Sequence, residues 1–220
     1  MSAATTTHAQ TGADPRAPAP CWSCHAPVRP GELFCAACRA VQPPGSLDHF
    51  ARLGLEAEFA LDAADLDRHY FALQRQLHPD RFATKSAKER AISQSQAISL
   101  NEAYEALKHP LERAVYLLRR AGIDIDPGDG ATIKDPALLT EAMEMREALA
   151  EAGDADAVAK IATRAEADRG QALAAVAAAF AAGNCDAARA AVLRLKYLTR
   201  MADEIRARRA ALRGRQGAAP

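Results

Sequence analysis

The chain has 220 residues, a formal net charge of zero, 49% hydrophobic residues and an aromatic share of 5%. Domains usually contain about 100 to 200 residues, so this length predicts one principal core with small accessory modules. The balanced charge excludes a strong overall field for nucleic acid or an anionic membrane. Few aromatic residues and an alanine-rich C-terminal half favour an all-α protein over a β-sandwich or barrel.

The N-terminal stretch carries no sign of export. Residues 1–20 are rich in Thr, Ala and Pro, and we expect a disordered tail there. The chain has no basic region followed by an apolar run, and no window of about 20 apolar residues. The sequence therefore predicts a cytoplasmic protein that has no membrane partner.

Four of the five cysteines form two Cys-x-x-Cys pairs within residues 21–42, namely Cys21 with Cys24 and Cys35 with Cys38. Two such turns can place four thiolates around one tetrahedral ion and leave no position open for water. The spacing predicts a structural zinc site whose metal supplies the folding free energy of this short segment. Disulfides are disfavoured in a chain without an export signal, whereas the spacing leaves iron open. The fifth cysteine, Cys185, is predicted to be a small buried hydrophobic residue.

A helical block is predicted from residue 46 to residue 121. Ser46 is a candidate N-cap for a short helix, and Asp62 for a longer one. The inward stripe of that longer helix is Leu66, Tyr70, Leu73 and Leu77. A second long helix over 86–108 is expected to face it through Ala91, Ile98, Ala103, Tyr104 and Leu107. A short amphipathic helix starts at Pro110, and the whole predicts a helical hairpin.

The hairpin loop carries His78-Pro79-Asp80. Pro79 ends the preceding helix, because the residue before a proline disfavours the helical conformation. His78 and Asp80 could be an acid–base pair, but no nucleophile or phosphate-binding loop lies near them in the sequence. A docking role fits better, in which the stiff loop presents an anion and a hydrogen-bond donor to a charged partner. We therefore predict no enzymatic activity.

These residues carry a family resemblance. The stretch 73–82, followed by Asn101-Glu-Ala-Tyr104 and Leu107-Lys-His-Pro-Leu111, resembles a J-domain, and more narrowly that of the HscB co-chaperones of iron–sulfur cluster biogenesis. The resemblance continues to about residue 208. It implies docking on a chaperone ATPase of the DnaK/HscA type and stimulation of its ATP hydrolysis. The docking residues so implied are His78, Pro79, Asp80, Arg68, Arg75 and Arg81.

The C-terminal part reads as a linker over 122–134, a three-helix antiparallel bundle over 135–213 and a disordered tail over 214–220. Asp135-Pro136 marks the first helix start, and Asp154 marks the second. The first helix has an inner apolar stripe and a second one, with Leu139 and Met143, about 100° away. In the HscB resemblance, this second stripe implies a binding patch for a cluster scaffold protein of the IscU type. The patch so implied is Leu139, Met143, Glu144, Glu147, Lys196 and Tyr197.

The sequence thus favours an adaptor that brings a scaffold protein to a chaperone. One rival is a zinc-ribbon protein that binds nucleic acid, but the cysteine segment has few basic residues beyond Arg29 and Arg39. We therefore expect no nucleic-acid partner. Another rival is a general J-protein, which would be expected to carry a Gly/Phe-rich linker or a β-rich substrate domain, and the sequence shows neither.

Overall fold

The computed structural model describes residues 17–125 and 136–216. Within these ranges the predicted all-α architecture is confirmed, with seven α-helices and one small two-stranded sheet. The helices are α1 His49–Leu53, α2 Ala63–Leu77, α3 Ala87–Lys108, α4 Pro110–Arg120, α5 Pro136–Glu151, α6 Ala155–Ala181 and α7 Cys185–Gln216. Strands β1 Ala19–Pro20 and β2 Pro27–Val28 pair antiparallel, with Ala19 opposite Val28.

The chain divides into two compact units. The knuckle–hairpin unit contains the residues up to Glu56 together with Ala64–Glu105. The bundle unit contains Ala57–Ala63 and the residues from Ala106 onward. The division falls inside α3, so α4, which we predicted as part of the J-domain, belongs to the bundle unit.

Helix ends follow capping chemistry, but not always at the predicted residue. The Asp48 carboxylate accepts the N–H of Ala51 at 2.9 Å and caps α1, so the prediction of Ser46 as the cap is wrong. Asp48 is better placed because the chain becomes helical only at His49. At α3, Ser86 Oγ accepts the N–H of Glu89, and Glu89 accepts the N–H of Ser86, which is a capping box.

Within the knuckle–hairpin unit, α2 and α3 are joined by aromatic and polar contacts. The rings of Tyr70 and Tyr104 stack with centroids 4.0 Å apart. The Tyr104 hydroxyl donates to Asp67 at 2.7 Å, and the Tyr70 hydroxyl donates to Asn101 at 2.9 Å. These contacts fix the rotation of both helices. The buried side chains of the unit include Phe50, Leu53, Leu66, Leu77, Phe82, Leu100 and Ala103.

The first half of α3 departs from the prediction. Ala91 is exposed and Ile98 is 52% exposed, whereas Ser93 and Gln96 are buried. Ser93 Oγ donates to the carbonyl of Leu77 at 2.8 Å. The inward face of this half is polar because it satisfies main-chain carbonyls, and a search for apolar periodicity therefore selects the wrong residues.

The bundle unit has a continuous apolar core that includes α4. Helix α4 packs against α7, as do α5 and α6, so the predicted three helices are joined by a fourth. The inner stripe of α5 is buried as predicted: Leu138, Ala142, Met145 and Leu149. Arg113, on the first turn of α4, is also buried; it donates to the carbonyl of Leu107 at 2.6 Å and lies 5.1 Å from the ring centroid of Phe59. Burial lowers the pKa of Arg113.

Helices α6 and α7 meet at a tight connection. The Asp154 carboxylate accepts the N–H of Ala157 at 2.7 Å and caps α6, as predicted. Gly183 has a φ of 63°, which ends α6, and the Asn184 side chain accepts the N–H of Ala187 at the start of α7. Cys185 packs against the core but is only half-buried, less than predicted, because it lies on the first, partly exposed turn of α7.

The predicted segments between the modules are only partly described. Ala19 and Pro20, expected in the disordered tail, pair with β2, and Gly214, expected in the C-terminal tail, lies within α7. The predicted cap Asp135, most of the 122–134 linker, residues 1–16 and residues 217–220 lie outside the described ranges. In the part of the chain described, no helix is long and apolar enough to span a membrane.

Candidate metal and docking sites

The four predicted cysteines lie together. Their sulfur atoms are all within 4.8 Å of one another, and the Cys21–Cys38 and Cys24–Cys35 pairs are each 3.7 Å apart. A disulfide would require about 2.05 Å. Sulfur atoms around a tetrahedral ion with metal–sulfur bonds of about 2.3 Å lie about 3.8 Å apart. The geometry therefore fits one four-coordinate metal ion.

Two equivalent turns build this cluster. The N–H of Cys21 donates to the carbonyl of Ala26, and that of Cys35 donates to the carbonyl of Ala40, at 2.8 and 3.0 Å. The residue after each pair, His25 or Arg39, has a φ near 60°. A left-handed conformation costs a non-glycine residue about 1–2 kcal/mol, which a bound metal would offset. His25 is exposed and lies outside the four-sulfur cluster.

The thiols differ in acidity. Burial raises the pKa of Cys21, but hydrogen bonds from the N–H groups of Cys24 and Ser23 and from the side chains of Cys38 and Gln42 lower it to about 6. The N–H of Ala26 lowers the pKa of Cys24, but the side chains of Cys38, Cys35 and Cys21, together with burial, raise it to about 12. Crowded thiols resist ionising together, and a divalent cation would supply the charge that removes this resistance.

The tripeptide lies on the loop between α2 and α3, at the start of a 3-10 turn over Pro79–Phe82. His78 Nδ1 accepts the N–H of Asp80 at 3.3 Å and caps the turn, and Pro79 occupies its first position. In a neutral ring, this places the proton on Nε2 as a donor. The Asp80 side chain is 90% exposed and that of His78 is 50% exposed. A stiff turn thus presents one anion and one donor to solvent.

The loop is held to both helices. The buried Ser93 hydroxyl donates to the carbonyl of Leu77, the last residue of α2, and Phe82 is buried behind the turn. Arg81 Nη1 donates to the carbonyl of Arg75 at 3.2 Å. The geometry of the exposed side chains is therefore set by the hairpin core.

The basic residues of α2 lie on one face of that helix. At 100° per residue, Arg68 and Arg75 lie within about 20° of arc, and Phe71 lies about 60° from Arg68. Arg68 forms an ion pair with Asp65, while Arg75 and Arg81 are exposed. Phe71, 47% exposed, lies on the same side of α2 and between the two arginines in sequence. Sequence reasoning missed Phe71, although its place three residues after Arg68 and four before Arg75 was visible.

Only some residues of the predicted scaffold-binding patch are exposed to solvent. Met143 is 71% exposed and Leu139 is 38% exposed on α5, where Glu144 and Glu147 are also exposed. On α7, Lys196 is half-buried.

Tyr197 differs from the prediction. It is 5% exposed, and its hydroxyl donates to the carbonyl of Ala142 at 3.3 Å. Helix α7 buries a wide face under α5. Tyr197 therefore packs under α5 and is not a surface residue of the patch. Burial raises its pKa.

The patch is bordered by ion pairs between α5 and α7. Arg194 contacts Glu141 at 2.7 Å, and Arg146 contacts Glu204 at 3.1 Å. The hydrogen bond to Glu204 raises the pKa of Arg146. These pairs hold α5 in register on α7 and so position Leu139 and Met143 relative to α7.

Comparison with known proteins identifies the family of this chain. Residues 134–206 match the model of the HSCB C-terminal oligomerisation domain. The chain is 35% identical over 186 residues to the iron-sulfur cluster co-chaperone protein HscB homolog of Arabidopsis thaliana, covering 84% of this chain and 72% of the relative. It is 33% identical over 190 residues to human iron-sulfur cluster co-chaperone protein HscB, covering 84% and 80%.

Solved structures agree with this assignment. The crystal structure of human co-chaperone protein HscB matches with a TM-score of 0.82 and 32% identity, covering 87% of this chain and 99% of that one. Chaperone HscB from Vibrio cholerae matches with a TM-score of 0.66 and 34% identity, covering 76% and 99%. The chain therefore belongs to the HscB family of iron–sulfur cluster co-chaperones.

Proposed function

We propose that this chain is an adaptor between two proteins. It binds a cluster scaffold protein of the IscU type and delivers it to an ATP-driven chaperone of the DnaK/HscA type. It stimulates the ATPase of that chaperone, which promotes cluster transfer, and has no catalytic activity of its own. A cytoplasmic location stays a prediction from the sequence.

The observation that carries this proposal is the presentation of Asp80. Its carboxylate is 90% exposed at the tip of a hairpin whose core fixes the loop. Charge-assisted hydrogen bonds are roughly twice as strong as neutral ones, so this anion suits a cationic pocket on the partner. The proposed chaperone-docking surface is His78, Pro79, Asp80, Arg68, Arg75 and Arg81, to which we add Phe71.

The proposed scaffold-binding surface lies on the bundle unit. Leu139 and Met143 offer exposed apolar area, and Glu144, Glu147 and Lys196 offer charge at its rim. Apolar area surrounded by polar groups is typical of protein-binding surfaces. The names of the relatives specify iron–sulfur cluster work, which favours this client over the unfolded clients of a general J-protein.

We propose zinc as the metal of the four-cysteine site. Closed four-thiolate sites on paired turns are typical of structural zinc. Elemental analysis of the purified chain distinguishes zinc from iron, which the same sulfur geometry would also accept.

The variant Asp80→Asn tests the adaptor proposal. It keeps the size of the side chain and removes its charge, so the fold should not change. Loss of a charged hydrogen bond of about 1.5–3 kcal/mol should weaken the apparent affinity for the chaperone roughly ten- to 150-fold. Stimulation of the chaperone ATPase is measured in a steady-state assay.

The control is Asp186→Asn, which neutralises an exposed carboxylate on α7 in the bundle unit. Scaffold binding, measured by calorimetry, should be the same in both variants. If Asp80→Asn stimulates the chaperone ATPase as strongly as the wild type does, the tripeptide is not the docking site.

A further inference from the structure

The four-cysteine site is connected to α3 by a chain of buried hydrogen bonds. The side-chain amide of Gln42 donates to Cys21 Sγ at 3.4 Å and to the carbonyl of Ala40 at 2.7 Å. The main-chain carbonyl of Gln42 accepts from the side-chain amide of Gln96 at 2.7 Å. Gln42 is 5% exposed and Gln96 is 3% exposed. We call the set Cys21, Gln42 and Gln96 the glutamine relay.

A second contact lies about two helical turns away on α3. Trp22, the neighbour of Cys21, donates from its indole nitrogen to the carbonyl of Val41 at 2.7 Å. The ammonium of Lys88 lies 4.5 Å from the centroid of the Trp22 ring. The cysteine segment is therefore anchored to α3 at Lys88 and again at Gln96.

The stretch of α3 between these anchors also holds the tripeptide loop. Ser93, whose hydroxyl satisfies the last carbonyl of α2, lies between Lys88 and Gln96. A change in the position of this stretch would reach the loop through one hydrogen bond.

The cysteine segment depends on its metal for order, because so short a segment has no sufficient core of its own. If the metal leaves, the segment loses its folding free energy and the amide of Gln96 loses its partner. A buried donor without a partner costs about 1–3 kcal/mol. Because Gln96 lies in the first half of α3, loss of the metal would destabilise that half of the helix by this amount.

We infer that Gln42 and Gln96 are positioning residues that make the geometry of the tripeptide loop depend on metal binding at the four cysteines. The cysteine segment is then a metal-dependent part of the chaperone-docking unit. This inference rests on the proposed metal site and on the proposed docking role of the tripeptide.

Hydrogen exchange measured on the full-length chain, with zinc bound and after removal by a chelator, tests the inference. In the wild type, chelation should raise the exchange of the first half of α3 and of residues 77–82 about tenfold. Exchange in α6 should not change and serves as the internal reference. In Gln96→Leu, exchange in α3 should already be raised with zinc bound, and chelation should add little to it.

The matched control is Gln94→Leu, which makes the same replacement at an exposed position two residues away on α3. It should behave like the wild type. If Gln96→Leu does not fold, Lys88→Ala removes the other anchor at an exposed position and should shift exchange in the same direction by a smaller factor.

A spectroscopic measurement separates the relay from a general loss of stability. In the cobalt-substituted chain, Gln42→Leu removes an N–H donor from Cys21 and should shift the sulfur-to-cobalt charge-transfer band. Release of zinc to a chromogenic chelator should be about tenfold faster. Gln94→Leu should change neither.

The outcomes distinguish the proposals. A purified chain that holds no metal overturns the zinc site, and the inference with it. A chain that holds zinc but shows unchanged exchange in α3 after chelation overturns the inference alone. Stimulation of the chaperone by the zinc-loaded wild type tests the adaptor function independently of both.

Discussion

The carbonyl of Leu77 is the last main-chain acceptor before the tripeptide, and the Ser93 hydroxyl donates to it at 2.8 Å. Ser93 is fully buried, so no solvent can replace its hydroxyl. A single hydroxyl on α3 therefore anchors the end of α2, where Pro79 stops the helix and the exposed turn begins.

We predict that Ser93→Ala destabilises the chain by about 1–3 kcal/mol, because the buried Leu77 carbonyl loses its partner. Urea unfolding monitored by circular dichroism measures this change. The control Ser95→Ala makes the same replacement at an exposed position of the same helix. Equal unfolding free energies for the two variants would contradict the prediction.

At the same scale, the sequence indicated the four cysteines and the exposed tripeptide, since both depend on local spacing and turn chemistry. It did not indicate that Tyr197 is buried or that Ser93 and Gln96 face inward. Those positions depend on which carbonyls the neighbouring segments leave unsatisfied, and this becomes visible only when the segments pack.

At the scale of single elements, the two faces of α2 differ in composition. Leu66, Tyr70 and Leu77 are buried, while Arg68, Phe71 and Arg75 face outward. An aromatic residue flanked by arginines is the composition that binding hot spots favour. The inward stripe was predictable from its helical period, and so was the outward position of Phe71, about 140° from Leu66. Phe71 was missed because an aromatic residue in an amphipathic helix usually belongs to the core.

We predict that Phe71→Ala weakens the apparent affinity for the chaperone by about five- to 30-fold, which corresponds to about 1–2 kcal/mol of lost contact. The titration of ATPase stimulation against this chain measures it. Stability should change little, because nearly half of the Phe71 side chain is already exposed.

The control is Ile98→Ala, which truncates another exposed apolar side chain, 52% exposed on α3. Its stimulation curve should overlay that of the wild type. If Phe71→Ala overlays it as well, Phe71 lies outside the docking surface.

At the scale of the whole molecule, one chain carries two proposed binding surfaces, each in its own compact unit. The tripeptide belongs to the knuckle–hairpin unit, and the α5 patch belongs to the bundle unit. The all-α class was predictable from helix periods and caps. The place of α4 was not, because its short amphipathic pattern fits either unit, and the burial of Arg113 beside Phe59 decides for the bundle unit.

Linkage of the two sites is what makes an adaptor effective, because a client bound at one site is held at high effective concentration for the partner at the other.

Leu139→Ala/Met143→Ala should weaken scaffold binding by about 1–3 kcal/mol, roughly five- to 150-fold, since both side chains are exposed and offer apolar area. Tyr197 is left unchanged, because truncating a buried ring would damage the core.

We predict that the two defects do not complement each other when they lie on different chains. At a concentration well below the weakened apparent affinities, Asp80→Asn should bind the scaffold but stimulate the chaperone little, and Leu139→Ala/Met143→Ala should stimulate the chaperone but gain little from added scaffold. With the wild type, added scaffold should raise the ATPase rate of the chaperone further. An equimolar mixture of the two variants should lack this scaffold-dependent increase, since no chain carries both sites. Helix content by circular dichroism verifies that both variants fold. If the mixture recovers the scaffold-dependent increase, the two sites can act from separate chains, and the proposal of a single-chain adaptor is wrong.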